Sequence, residues 1–237
     1  MATIDATRPA PRQVVLVTGF EPYGGRGINP AAEVAKRMNG LAVDGGVVVG
    51  QTLPVSFRGL REHMAAVLGE IDPVAILSLG LWPGEPVIRL ERVAQNLAAF
   101  EIPDNEGLVI EDLPIAAGAP QAIPARLPLR AIERALLDAG IPARLSNSAG
   151  AFLCNAVMYT CLAESLRLRP DIPCGFVHLP YLPEQVADLL TNLRTERRLE
   201  LHQRADLASM SLDLMVKAVK TILETTLRSL KESGRTG

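Results

Sequence analysis

The chain has few cysteines, few histidines, little excess charge and no long apolar run, and each shortage removes a class of protein. Its 237 residues hold three cysteines, Cys154, Cys161 and Cys174, and three histidines. An odd cysteine count without paired spacing argues against a disulfide framework. The absence of Cys-x-x-Cys pairs and of clustered histidines argues against a zinc site, so no metal is expected. The formal net charge is -2. Acidic and basic residues are mixed along the chain, leaving no basic patch for nucleic acid and no polybasic segment for a membrane surface. No run approaches about 18 apolar residues, and Met1 to Gln13 is polar and proline-bearing, with no apolar signal core. A soluble, cytosolic protein is expected. What the chain does have is 48% hydrophobic residues. That is enough to fill the core of a single domain over residues 1–237, with 1–12 as a flexible N-terminal segment.

Apolar runs alternate with helical periodicity. Val14 to Thr18 reads as a buried strand, followed by the turn-rich Phe20-Glu21-Pro22-Tyr23-Gly24-Gly25. Asn29 as N-cap and Pro30 as first residue open a helix to about Met38. The glycine loop lacks the Lys-Ser/Thr of a P-loop, and its spacing is not that of a dinucleotide fold. Its aromatic pair, Phe20 and Tyr23, suits an uncharged ring better than a phosphate. Val47 to Leu53 is a second strand, Phe57 to Leu68 a helix carrying a solvent-exposed His63, and Val74 to Leu79 a central parallel strand. Helices are expected at about Leu129 to Leu137, Pro183 to Arg194 and Leu212 to Leu230, the last capped by Ser211. His202 falls in a charged, exposed stretch. Glu101 to Arg126 has little periodicity, and so long an irregular stretch reads as a functional cover. The pattern predicts an α/β domain with a mostly parallel sheet, binding ligands beyond the carboxyl ends of its strands.

Cys154 is the candidate nucleophile. Ala143 to Ser148 finishes a strand, Gly150 turns the chain, and from about Cys154 the residues Val157, Met158, Cys161, Leu162 and Leu166 recur at helical spacing. This places Cys154 in the first turn of a helix, where unpaired N–H groups favour a thiolate. Two partners stand near strand ends. His178 closes the apolar run from Cys174, and Glu91 lies in the alternating run Val87 to Val93, so nucleophile, base and orienter are all present. At least one of Arg89, Glu91 and Arg92 must be paired if that strand is buried. The simpler alternative is an edge strand with Glu91 in a surface ion pair. Cys161 turns toward the core and Cys174 sits in a strand, so neither is given a role.

These residues resemble the pyroglutamyl peptidase type I family, cysteine peptidases that remove an N-terminal pyroglutamyl residue. The likeness rests on Thr18 to Gly25 with Asn29-Pro30, Glu91-Arg92-Val93-Ala94 with Asn96-Leu97, Ile102 to Gly107, Ser148-Ala149-Gly150 through Cys154-Asn155, and His178 to Gln185. It implies a three-layer α/β/α sandwich and a triad of Glu91, Cys154 and His178. It also implies an aromatic ring pocket at Phe20 and Tyr23, no metal or organic cofactor, a cytoplasmic location, pyroglutamyl peptides as substrates and a homotetramer. The chain departs from the family in Leu81-Trp82-Pro83-Gly84-Glu85, where an amide becomes apolar and a basic residue acidic. Tyr23 replaces a phenylalanine, and Leu90 a proline.

An ordinary cysteine, with a pKa of about 8.5, needs roughly 2 kcal/mol of help to be mostly thiolate at pH 7. A helix terminus supplies only ~0.3–1 kcal/mol. An ion pair with protonated His178 is therefore expected, with Glu91 holding the imidazole. Two other readings fit the same residues: a diverged cysteine hydrolase acting on another small amide, motivated by Leu81 and Glu85, and a non-catalytic binding protein on the same scaffold.

Overall fold

The apolar runs of the sequence become strands, and short polar signals set where helices begin. The computed structural model describes residues 13–196 and 207–234. The first half contains β1 (Gln13–Phe20), α1 (Pro30–Met38), β2 (Ala42–Val43), β3 (Gly46–Leu53), α2 (Leu60–Ile71), β4 (Ala75–Leu81), β5 (Ile88–Glu91) and β6 (Val93–Gln95). The second contains β7 (Ala122–Pro124), α3 (Leu129–Asp138), β8 (Ala143–Ser146), α4 (Leu153–Leu168), β9 (Cys174–Leu179), α5 (Pro183–Glu196) and α6 (Leu212–Glu232). The N-terminal segment 1–12 and His202 lie outside the described residues.

Asn29 accepts a hydrogen bond from Ala31 N–H at the start of α1, and Ser211 accepts from Leu214 N–H at the start of α6. Each side chain satisfies an N–H that has no helical carbonyl to bond. α2 starts at Leu60 rather than at Phe57. Gly59 before it takes a left-handed φ of 67°, which a right-handed helix does not contain.

Seven strands form one sheet in the order β2-β3-β1-β4-β9-β5-β8. Parallel ladders join β1 to β3 and β4, β4 to β9, and β5 to β8. Antiparallel ladders join β2 to β3 and β5 to β9. β5 is thus an internal strand, buried at all four residues, which overturns the edge-strand alternative for Glu91.

Side-chain alternation sorts each strand between two helical layers. Leu77, Leu79, Val177, Leu179, Ile88 and Leu90 pack with α1, α3 and α6. Ile76, Cys174 and Phe176 pack with α2 and α4. This is the expected α/β/α sandwich. The same alternation puts Arg89, Glu91 and His178 on the side of α4, the helix that carries Cys154. The stretch from Glu101 to Arg126 is mostly irregular, with β7 pairing to β6 as a small separate sheet.

Candidate active site

Strand register brings the polar residues together. Across the antiparallel ladder Arg89 stands opposite His178 and Glu91 opposite Phe176; on the other side of β9, Gly80 of β4 stands opposite His178. Glu91 is therefore the diagonal neighbour of His178 on one face, within reach of its ring. His178 Nδ1 lies 2.8 Å from Glu91 Oε1. An ionised carboxylate only accepts, so Nδ1 carries the proton and donates. Neither side chain is exposed. The imidazole stands edge-on to Trp82 and tilted against Phe176, each with ring centroids 4.9 Å away. Its Nε2 has no hydrogen-bond partner among the described residues.

Cys154 is the second residue of α4. The chain reaches it through Gly150, whose φ of 79° makes the turn expected from the sequence. Asn155 fastens this first turn to the neighbouring chain: its Oδ1 accepts from Gln95 N–H, and its Nδ2 donates to the carbonyls of Gln95 and Leu97. Gly80 leaves room for the thiol. A Cβ there would lie 2.8 Å from Cys154 Sγ and 2.7 Å from Phe176 Cζ. Gly80 lies inside β4, and a glycine within an apolar strand is itself a signal of close approach.

Cys154 and His178 border one cavity of about 340 Å³, whose walls include Tyr23, Trp82, Ile102 and Phe152. Tyr23 and Phe152 face each other with centroids 6.0 Å apart. Phe20, expected in this wall, does not line the cavity. It ends β1 at 3% exposure and packs into the core with Leu16 and Leu53. Phe152 takes the place expected of it, and its only sequence signal is an aromatic two residues before the candidate nucleophile. Glu101 and Ile102, at the start of the irregular stretch, also border the cavity. A larger cavity of about 440 Å³, bordered by Phe57, Arg61, Tyr159 and Glu164, holds neither cysteine nor histidine.

Burial works against the expected ion pair. Burial pushes the Cys154 thiol up to about 12, and the charge of Glu91 adds to the effect. Burial also pushes His178 below the usual imidazole range, against the opposing pull of Glu91. A charge on either group is disfavoured by desolvation. Desolvation thus favours the uncharged thiol and the uncharged imidazole, although Cys154 is only partly buried where it borders the cavity. Burial likewise pushes the Tyr23 hydroxyl up to about 12, so it stays protonated.

Arg89 fills the space beside this pair. Its Nε donates to Glu91 Oε1 at 3.1 Å, its Nη1 to Glu85 Oε2 at 3.4 Å, and its Nη2 to Ser146 Oγ at 2.7 Å and the Ser148 carbonyl at 2.9 Å. The guanidinium lies 3.8 Å over the Trp82 ring. Glu85 is 5% exposed and also receives Arg144 at 2.7 Å. Trp82 and Glu85, both in the stretch from Leu81 to Glu85 that departs from the family, lie against Arg89, while Leu81 is buried at the end of β4. The expectation that a charge in this strand is paired holds for Arg89 and Glu91. Arg92 is exposed and donates to Asn147. Among the described residues no group of three or more His, Cys, Asp or Glu is placed to hold a metal ion.

A family model described as pyroglutamyl peptidase matches residues 13–229. The chain belongs to the pyroglutamyl peptidase family. It is 41% identical over 216 residues to a pyrrolidone-carboxylate peptidase of Pyrococcus furiosus, covering 91% of this chain and 99% of that one. A pyrrolidone-carboxylate peptidase of Yersinia pestis is 41% identical over 174 residues, 73% of this chain and 81% of that one. Among solved structures, the pyrrolidone carboxyl peptidase of P. furiosus superposes with a TM-score of 0.84 at 41% identity, covering 92% of this chain and all of the other. In this pyroglutamyl peptidase the other two thiols are core residues. Cys161 contacts Ser78 Oγ at 3.7 Å, Cys174 starts β9, and burial pushes both thiols up.

Proposed function

We propose that this protein removes N-terminal pyroglutamate from peptides, with Cys154 as nucleophile, His178 as general base and acid, and Glu91 as the group that orients the imidazole. One observation carries the assignment of roles. His178 is bonded through Nδ1 to a buried carboxylate while its Nε2 is unpartnered among the described residues, beside the cavity that Cys154 borders. An imidazole held in that tautomer presents a base to the thiol.

The neutral resting pair sets the order of events. As Sγ attacks the pyroglutamyl carbonyl, the thiol proton passes to Nε2 and the carbonyl oxygen takes up negative charge. Glu91 stabilises the imidazolium. The first N–H groups of α4, which have no helical carbonyl to bond, are the donors we assign to that oxygen. One such donor typically contributes about 2.7–4 kcal/mol. Collapse breaks the C–N bond, His178 returns its proton to the leaving amine, and the acyl group stays on Sγ. Water then attacks with Nε2 as base, releasing pyroglutamate and restoring the thiol.

The lactam ring carries no ammonium group, so an apolar wall suits it better than a carboxylate clamp. Tyr23 and Phe152 supply such a wall in our reading, with Phe20 as its support from the core rather than as a contact. The whole chain acts as one catalytic domain. No helix among the described residues is long and apolar enough to cross a membrane. The three free thiols support a cytoplasmic place of work, and family resemblance supports a homotetramer.

Release of a fluorophore from a pyroglutamyl amide by wild type and by Cys154→Ser, with a prolyl amide as control, tests the reading. Wild-type turnover of the first substrate alone, lost in the variant, is the expected result. Turnover of the prolyl amide, or full activity in Cys154→Ser, overturns it.

A further inference from the structure

We infer that Arg89 is a positioning residue of this reaction, tying the Glu91–His178 hydrogen bond to the turn that presents Cys154. The inference rests on the roles proposed above for those three residues. Arg89 spends its donors on both halves of the site. Nε reaches the same carboxylate oxygen that accepts His178 Nδ1, and Nη2 reaches Ser146 Oγ and the Ser148 carbonyl, where β8 leaves the sheet toward α4. Glu91 therefore cannot rotate without losing both bonds. The base and the nucleophile's turn are held by one rigid fork, a geometry that a lysine ammonium does not reproduce.

The surroundings of Arg89 are built to hold it. The side chain is 9% exposed, with Trp82 against its flat face and Glu85 against one edge. Trp82 also stands against the His178 ring, so the same indole touches positioner and base. Glu85 is in turn held by Arg144, whose side chain is 58% exposed. A buried guanidinium with this many matched acceptors is a built arrangement, not a surface side chain folded inward.

The charges around His178 give the arrangement a second effect. Glu91 and Arg89 come from β5, Glu85 from the segment before it, and the Cys154 thiol from α4, while β4 contributes only Gly80 beside the imidazole. With Arg144 included, two carboxylates face two guanidinium groups. Arg89 opposes protonation of His178 and Glu85 favours it. Arg89 thereby keeps Nε2 free at rest, ready to take the thiol proton. Without it the cluster has an excess of negative charge, the imidazole gains a proton more readily, and Glu91 loses its second anchor.

The test compares Arg89→Gln, Arg89→Lys and Glu85→Gln with wild type by steady-state kinetics and by NMR titration of the His178 ring. The chain has only three histidines, and the His178 signal is assigned by its loss in His178→Asn. Arg89→Gln is expected to move the His178 titration to higher pH and to lower kcat by up to about 100-fold, with KM within about twofold. Arg89→Lys keeps the charge without the fork, so its titration stays close to wild type while kcat stays low. Glu85→Gln moves the titration to lower pH. A folded Arg89→Gln with wild-type titration and kcat overturns the inference, as does a fall in kcat that only follows the loss of folded protein. If Arg89→Gln does not fold, Arg89→Lys decides: a low kcat with an unmoved titration in folded protein supports the role and a wild-type kcat overturns it. Failure of wild type to hydrolyse a pyroglutamyl amide would remove the proposed reaction, while the ring titrations still judge the hold of Arg89 on His178.

Discussion

His178 and Glu91 are joined across two antiparallel strands, Nδ1 to Oε1 at 2.8 Å, with neither side chain open to solvent. The bond fixes which ring nitrogen faces the thiol. Glu91→Gln keeps the shape but lets the amide present a donor to Nδ1, which favours the wrong tautomer. We expect kcat/KM to fall by up to about 10,000-fold. The lost charge also leaves Arg89 short of a partner, so stability falls by about 3 kcal/mol, read from denaturant unfolding.

The neutral thiol and imidazole predict the pH behaviour. His178 must be unprotonated to act as base, and burial holds its titration below the ordinary value of about 6.5. Protonation therefore inactivates only at lower pH, so the acid limb of kcat/KM lies below pH ~6.5. Burial pushes the Cys154 thiol up to about 12. Its alkylation by iodoacetamide in the free enzyme should keep rising through pH ~8.5, where an ordinary thiol is half ionised. A plateau at neutral pH would restore the ion pair.

Gly80→Ala tests the space kept for the nucleophile. The new Cβ would sit 2.8 Å from Cys154 Sγ and 2.7 Å from the Phe176 ring. Sulfur and ring must both shift, costing about 1–3 kcal/mol of stability. Activity is expected to be lost even in protein that remains folded, as measured by turnover beside thermal unfolding.

Asn155→Ala removes three hydrogen bonds and leaves Gln95 N–H and the carbonyls of Gln95 and Leu97 without that partner. Destabilisation of about 1–3 kcal/mol is expected. Because Asn155 follows the nucleophile directly, kcat should fall as well. An unchanged kcat in folded variant protein would show that the link to β6 does not place Cys154.

The readable parts of this molecule are those whose cause is local. Asn29, Pro30 and Ser211 act within one turn of their own helices, and Gly150 with the periodicity after Cys154 marks one strand-to-helix turn. The residues proposed as the triad, Glu91, Cys154 and His178, are nameable because each sits beside such a boundary. What joins them was not readable. The place of β5 between β9 and β8, and its antiparallel direction against β9, arise from pairings across the whole chain. Arg89 therefore looked like one of three strand charges, although register puts it opposite His178. The ring wall differs for a related reason: packing turns Phe20, expected in it, into the core, and turns Phe152, which has no assigned role in the sequence reading, toward Tyr23. Composition and spacing also do not report how deeply the imidazole is buried, which is what works against the expected ion pair.

The proposed reaction requires a covalent bond between Cys154 and the pyroglutamyl group. An activated pyroglutamyl ester makes acylation fast, so rapid acid quench followed by peptide mapping in a mass spectrometer tests that bond most directly. We predict a pyroglutamyl adduct on the peptide containing Cys154, absent from those containing Cys161 and Cys174, that disappears as substrate is consumed. An adduct on another residue, or turnover of the ester by Cys154→Ser at the wild-type rate, would contradict the account.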